Sequence, residues 1–400
     1  MVKSKIMALD GAHAVAEAMR QINPDVVAAY PITPQTPVVM TFSNFVADGL
    51  VDTEFIPVES EHAAMSTCIG ASAAGGRVMT ATASVGLMLM LEVVYAAASL
   101  RLPIVMSVVN RALSSPLNIH CDHSDSMGAR DTGWIQLYSE NPQEAYDNVI
   151  QAVRIAEHPD LLLPVMVMQD GFITGHGVER VEVLDDGAVK EFVGEYKPAH
   201  SLLDVDNPAT YGTWAMYDFY FEIKRQQTDA LSKAMPIIVE VGEEYGRLTG
   251  RKYGILDTYE MDDAEIAIVV LSSTAGTARM VVRNLREKGV KIGLIKPRVF
   301  RPFPAKEFAE ALAGVKAVGV LDRSIVFGAM NGLGPGPLYL ELCAALFAHG
   351  NTTTKVVDYI FGLGGRDIVP AHIEKAAQDL AEIAETGEVK QVVNYLGLRE

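Results

Sequence analysis

Short apolar runs alternate with longer helix-like stretches along most of the chain. The runs fall at residues 26–29, 78–83, 104–109 and 161–168, and again at 266–271, 292–295, 317–321 and 356–360. Between them lie Ala-, Glu- and Leu-rich stretches at 10–22, 60–74, 142–156, 274–288 and 370–385. Continuously apolar strands separated by helices predict parallel sheets covered on both faces, hence an α/β fold. The pattern breaks at 177–211, which is acidic, mixed and poorly periodic. A helix-like segment at 214–235 follows, and a fresh α/β run begins after 251. The expected organisation is a larger domain over 1–240, a linker over 241–260 and a smaller α/β domain over 261–400.

Composition narrows the classes. The chain has 400 residues, 49% of them hydrophobic and 21% charged, enough for sizeable cores. Acidic residues outnumber basic ones, 50 to 33, for a net charge of −17. That balance argues against nucleic acid, which needs clustered Lys and Arg. A small anion needs only one buried Arg. Cys68, Cys121 and Cys343 are widely spaced with no C-x-x-C. A zinc site, a disulfide framework and an iron–sulfur cluster held by this chain alone are therefore not expected. Residues 1–20 lack a continuous apolar core of a signal peptide. The most apolar stretch, 85–100, contains Glu92 and is shorter than the ~20 residues of a membrane helix. The expectation is a soluble cytoplasmic protein with no membrane partner.

Several motifs invite chemistry and fall short of it. GAMNGLGPGP at 328–337 and FGLGGRD at 361–367 match neither G-x-G-x-x-G nor a P-loop. Both are expected to be loops at strand ends, with a subunit interface as another possible place. His120, Asp122, His123 and Asp125 form the dense cluster HCDHSD, whose spacing suits no standard zinc pattern. An ordered, hydrogen-bonded loop near an active site is expected there, with no metal. The small-residue stretch 60–74 opens on Ser60, a plausible N-cap, and suits either tight helix packing or the approach of a cofactor ring. YPITPQTP at 30–37 is a strand end entering a rigid turn, where ligands bind in parallel α/β folds.

YPITPQTP also resembles the N-terminal signature of the 2-oxoacid:ferredoxin oxidoreductases. Further matches follow in order: VESEHAAMSTCIGASAAGGR (58–77), TATASVGLMLMLE (80–92), NRALSSPLNIHCDHSD (110–125), LYSENPQEAYDN (137–148), MQDGFITGH (168–176) and RVFRPFP (298–304). The resemblance spans almost the whole chain. It implies a parallel-sheet domain that binds the pyrimidine half of thiamine diphosphate, followed by a transketolase C-terminal-like domain. It implies oxidative decarboxylation of a 2-oxoacid with coenzyme A to an acyl-CoA, with electrons passed to ferredoxin, or the reverse synthesis. The G-D-G…N-N pattern that holds magnesium and diphosphate is absent, and Asp170-Gly171 is its nearest fragment. The chain thus resembles an alpha-type subunit. Beta, gamma and delta-type partners would supply the magnesium half of the site and the [4Fe-4S] clusters, in a dimer of heteromers.

The resemblance also assigns residues. Glu61 would bind the aminopyrimidine ring nitrogen of thiamine and so activate it; unaided, Glu61 is equally a first-turn residue favoured by the helix dipole, with Glu59 and Glu54 close by. Pro31, Ile32 and Val85 would line the cofactor. Thr33 and Arg111 would take the carboxylate and carbonyl of the substrate, with Asn110 beside them. Asn110, Asp122 and His123 would support the arginine loop or meet partners, and Arg301 would be structural or interfacial. Thr33 and the NRALSSP stretch favour pyruvate, while branched-chain, aromatic and oxalate-like substrates stay open. So does a non-catalytic scaffold, though Glu61, Thr33 and Arg111 together speak against it. A dinucleotide-dependent dehydrogenase lacks its glycine fingerprint.

Overall fold

A computed structural model describes residues 3–399. Two parallel sheets organise the chain. The first has seven strands in the order Val299–Arg301, Ile135–Tyr138, Val165–Asp170, Val105–Asn110, Val78–Thr82, Val26–Ala29 and Glu54–Pro57. All neighbours are parallel except Val299–Arg301, which runs antiparallel to Ile135–Tyr138. The second has six strands in the order Val393–Tyr395, Lys355–Ile360, Ala317–Asp322, Ile266–Val270, Ile292–Pro297 and Leu256–Tyr259. Only Leu256–Tyr259 is antiparallel there. The central strands are buried along their full length, which explains their unbroken apolar runs. Among the described residues, no helix is long and apolar enough to cross a membrane.

Each sheet contains a reversal of strand order. In the first, the chain steps from Val26–Ala29 outward to Glu54–Pro57, then back across to Val78–Thr82. In the second, it steps from Ile266–Val270 to Ile292–Pro297, then across to Ala317–Asp322. Crevices open beyond the carboxyl ends of strands at such points.

Two expectations need correction. Residues 241–260 are not a free linker: they hold the end of helix Ala234–Thr249 and the edge strand Leu256–Tyr259. The helix is pinned to helix Pro142–Ala156 by buried Asp147, which accepts from Tyr245 Oη at 2.5 Å and from Arg251 Nε at 2.6 Å. The irregular stretch 177–211 also contains strand Glu179–Leu184 and helix Asp186–Val193. That strand pairs antiparallel with Ser4–Leu9, burying Val181 and Val183 while its glutamates face outward.

Helix Pro337–Ala348 starts against two enclosed carboxyls. Asp322 accepts from Leu338 N at 3.2 Å and Tyr339 N at 2.9 Å; Asp358 accepts from Gly336 N at 2.6 Å. Burial pushes both above the usual carboxylate range, and for Asp358 the Asp322 charge adds to it. The folded protein then binds more protons than the unfolded chain above about pH 4, so stability falls as pH rises from there toward the raised folded values. Asp358→Asn keeps an acceptor for Gly336 and removes one ionisation. Urea melts between pH 5 and 9 are expected to show a shallower decline for this variant than for the wild type; identical slopes would mean the pair does not titrate.

Candidate active site

The first sheet's crevice gathers the candidate residues. Helix Glu61–Ala73 is capped by Ser60, whose Oγ accepts from Ala63 N at 3.2 Å. This puts the Glu61 carboxylate in the first turn. The side chain is buried, and no described residue donates to it. It lies against Gly86, where a Cβ would come 2.7 Å from both Glu61 Oε1 and Thr82 Oγ1. Glycine is required there by that close approach. Thr82 Oγ1 is itself buried and has no partner among the described residues. A buried carboxylate and an orphaned hydroxyl at a strand end form a polar pair suited to the edge of a heteroaromatic ring.

The YPITPQTP turn follows strand Val26–Ala29. Buried Gln35 holds it, donating from Nε2 to Ala81 O at 3.1 Å and accepting from Ile32 N at 3.2 Å. Pro31 and Thr33 stay exposed, and Ile32 is half-buried. Val85, also exposed, begins the short helix Ser84–Leu89 on the other side of the crevice. Arg111 follows strand Val105–Asn110 and is only 6% exposed. Its Nη1 donates to Thr33 O at 2.9 Å and its Nε to Asn118 O at 3.0 Å. Nη2 has no partner among the described residues. Thr33 and Arg111 are therefore brought together, through the Thr33 backbone rather than its hydroxyl.

Asp125 joins the two sides. Its Oδ2 accepts from Ser84 N at 2.9 Å and from Arg111 N at 3.0 Å. Its Oδ1 accepts from Asn110 Nδ2 at 2.8 Å and Ser126 N at 2.7 Å. Burial pushes the carboxyl up to about 6, while the hydrogen bonds from Asn110, Arg111, Ser84 and Ser126 pull it down. Of the two places expected of Asn110, it takes the one that supports the arginine loop rather than the one beside the substrate. It is fully enclosed, its amide donors face Asp125 and Ser126, and it holds the arginine loop from within.

The rest of the HCDHSD cluster faces the C-terminal half. His123 Nε2 lies 2.8 Å from Asp170 Oδ1. Asp170 Oδ2 accepts from Arg323 Nη1 at 3.0 Å and from Ser273 Oγ. Ser273 and Arg323 stand at the second sheet's own reversal point, so the carboxyl ends of both sheets meet here. Burial alone would raise the Asp170 carboxyl, but His123, Arg323 and Ser273 hold it below the ordinary range. Cys121, His123 and Asp170 place possible ligand atoms within 4.8 Å of one another. The Arg323 guanidinium, 3.7 Å from Cys121 Sγ and 3.0 Å from Asp170, already supplies the cation of that cluster. Asp122 accepts from Ser124 Oγ at 2.5 Å and from Gly364 N at 3.1 Å. Arg301 reaches Glu341 at 2.5 Å and Asp131 at 3.4 Å, an ion pair across the halves.

Gln35, Ser273 and Arg323 were not assigned roles by sequence reasoning, and Asp125 was legible only as a member of the HCDHSD loop. Of the first three, Gln35 alone carried a signal, a polar residue locked between prolines.

Comparison with known proteins agrees with this geometry. Residues 17–243 match the family described as pyruvate flavodoxin/ferredoxin oxidoreductase, thiamine diphosphate-binding. Residues 264–373 match pyruvate:ferredoxin oxidoreductase core domain II. The chain is 55% identical over 395 residues to pyruvate synthase subunit PorA of Thermotoga maritima, covering 98% of each. It is 45% identical over 384 residues to the subunit of that name from Methanocaldococcus jannaschii, covering 94% of this chain and 96% of that one. It is 41% identical over 392 residues to ketoisovalerate oxidoreductase subunit VorA of Pyrococcus abyssi, covering 98% and 97%. The fold is shared with a 2-oxoglutarate:ferredoxin oxidoreductase from Magnetococcus marinus, at TM-score 0.71 and 20% identity, over 96% of this chain and 66% of that longer one. The buried carboxylate and the partly free arginine thus sit in a matched thiamine-diphosphate-binding domain, and the chain belongs to the pyruvate flavodoxin/ferredoxin oxidoreductase family.

Proposed function

We propose that this chain is the alpha-type subunit of a multi-subunit oxidoreductase that decarboxylates a 2-oxoacid, with pyruvate as substrate and coenzyme A as acyl acceptor. The observation that carries it is that Glu61, buried with no donor among the described residues, and Arg111, whose Nη2 is free among them, both follow strands of the first sheet. The 55% identity to a pyruvate synthase subunit supports pyruvate. Bound thiamine diphosphate would supply the carbon nucleophile and the electron sink of decarboxylation. Glu61 would accept a hydrogen bond from its aminopyrimidine edge and hold the proton there, in a low-dielectric crevice that strengthens the bond. Pro31, Ile32 and Val85 would flank the ring. Arg111 would offer Nη2 to the substrate carboxylate, its plane fixed by the carbonyls of Thr33 and Asn118. Neutral, exposed Thr33 at the rim suits an uncharged methyl tail.

The diphosphate and magnesium would be held by a beta-type partner. Asp170, the acid of the nearest fragment of that pattern, is enclosed and already engaged by His123, Ser273 and Arg323, which supports this division. The clusters would lie on further partners, beyond this chain's Cys68, Cys121 and Cys343.

The deciding experiment is a substrate panel on the co-purified complex, with coenzyme A and a viologen dye. Preference for pyruvate over 2-oxobutyrate, 2-oxoisovalerate, 2-oxoglutarate, oxalate and phenylglyoxylate is expected; preference for another 2-oxoacid would overturn the substrate assignment and keep the chemistry. Arg111→Lys is expected to raise KM for the 2-oxoacid about tenfold or more, because a lysine cannot reproduce the planar fork. An unchanged KM would remove Arg111 from the site.

A further inference from the structure

The glycine-rich loop 361–367, on the C-terminal half, follows strand Lys355–Ile360 and presses on the arginine loop. Asn118 Nδ2 donates to Gly364 O at 2.9 Å, and Gly364 N donates to Asp122 Oδ2 at 3.1 Å. A Cβ at Gly364 would come 2.4 Å from Asn118 Nδ2, and one at Gly365 would come 2.3 Å from His120 Cβ. Both glycines have positive φ, 59° and 81°, so a side chain there is doubly opposed.

Asn118 links this loop to the site. Its carbonyl accepts from Arg111 Nε at 3.0 Å, and its Oδ1 accepts from His120 N at 2.7 Å. Of the two carbonyls that fix the guanidinium plane, Thr33 O belongs to the N-terminal turn. The other, Asn118 O, is seated on the C-terminal half through Gly364. We propose that the 361–367 loop is a positioning element for the substrate carboxylate: it fixes the Arg111 guanidinium through Asn118. The proposal rests on Arg111 as the substrate residue. With the Asn118 anchor lost, the guanidinium can turn about its remaining bond to Thr33, and Nη2 no longer points in one direction.

The test uses the co-purified complex. Asn118→Asp keeps the acceptor for His120 N but sets a carboxylate against Gly364 O. Gly365→Ala pushes the two loops apart. Each is expected to raise KM for the 2-oxoacid about tenfold, with KM for coenzyme A unchanged and kcat lowered less than about threefold. The double variant should exceed the larger single effect by little, because both act through the same contact. A merely structural role would lower kcat and thiamine diphosphate retention and leave KM alone, which would overturn the proposal. If Gly365→Ala does not assemble, Asn118→Asp decides. Should Arg111→Lys raise KM while Asn118→Asp does not, the positioning role falls and the site stands. Should Arg111→Lys leave KM unchanged, the reading of the site falls first.

Discussion

Turnover of the assembled complex is expected to fall by about 10²–10⁴ on Glu61→Gln, with thiamine diphosphate still bound. The amide keeps the shape and removes the charge. Among the described residues Glu61 has no donor to compensate its burial, and it lies beside the Thr82 hydroxyl, which has no partner among them either. Such a carboxylate is stabilised only when a ligand donates to it, so its contribution appears when the cofactor binds. Glu61→Ala should cost at least as much and also weaken cofactor retention. Steady-state kcat, together with thiamine diphosphate content after gel filtration, separates the two effects. Near-normal kcat in Glu61→Gln would sink the catalytic assignment and revive the scaffold alternative.

A loss of about 3–5 kcal/mol in stability is expected for Arg323→Leu, because Asp170 is left as a buried carboxylate without its permanently charged partner. The sign of the pH dependence checks the cause. Asp170 is held below the usual carboxylate range in the folded protein, against the upward push of burial, by His123, Arg323 and Ser273. Its stabilisation is therefore present above the unfolded value near pH 4 and lost as pH falls through the folded value. Without Arg323 that stabilisation is missing at neutral pH, and the deficit should shrink only as pH falls below about 4, where the unfolded chain protonates the carboxyl, toward the lower folded value. Denaturant midpoints at pH 7.5 and about pH 3 measure it. Equal deficits at both pH values would trace the loss to packing of the arginine stem.

The parallel sheets were legible because their central strands are buried on both faces, leaving unbroken runs such as 78–83 and 104–109. The turn at 30–37 and Arg111 were legible as residues just past strand ends. Glu61 needed the family resemblance, since Glu54 and Glu59 are equal candidates by local pattern. Strand Glu179–Leu184 carries Glu179, Arg180 and Glu182 among its six residues, so the alternation of Val181 and Val183 is too brief to stand out, and Val299–Arg301 is too short to carry a period. Asp125 acquires its role only when Ser84 and Arg111, distant in sequence, come to one oxygen. The same holds for Arg323, which meets Asp170 across 153 positions of chain. No local rule encodes such contacts.

The short strand Val299–Arg301 leaves the C-terminal half to complete the first sheet beside Ile135–Tyr138. The chain thus passes between the halves and then reaches back, like a clasp. A rigid-body swing of one half against the other would have to shear that strand pair and the buried Asp170–Arg323 contact together. These two contacts couple the halves, so opening the crevice by a swing of one half would cost both at once.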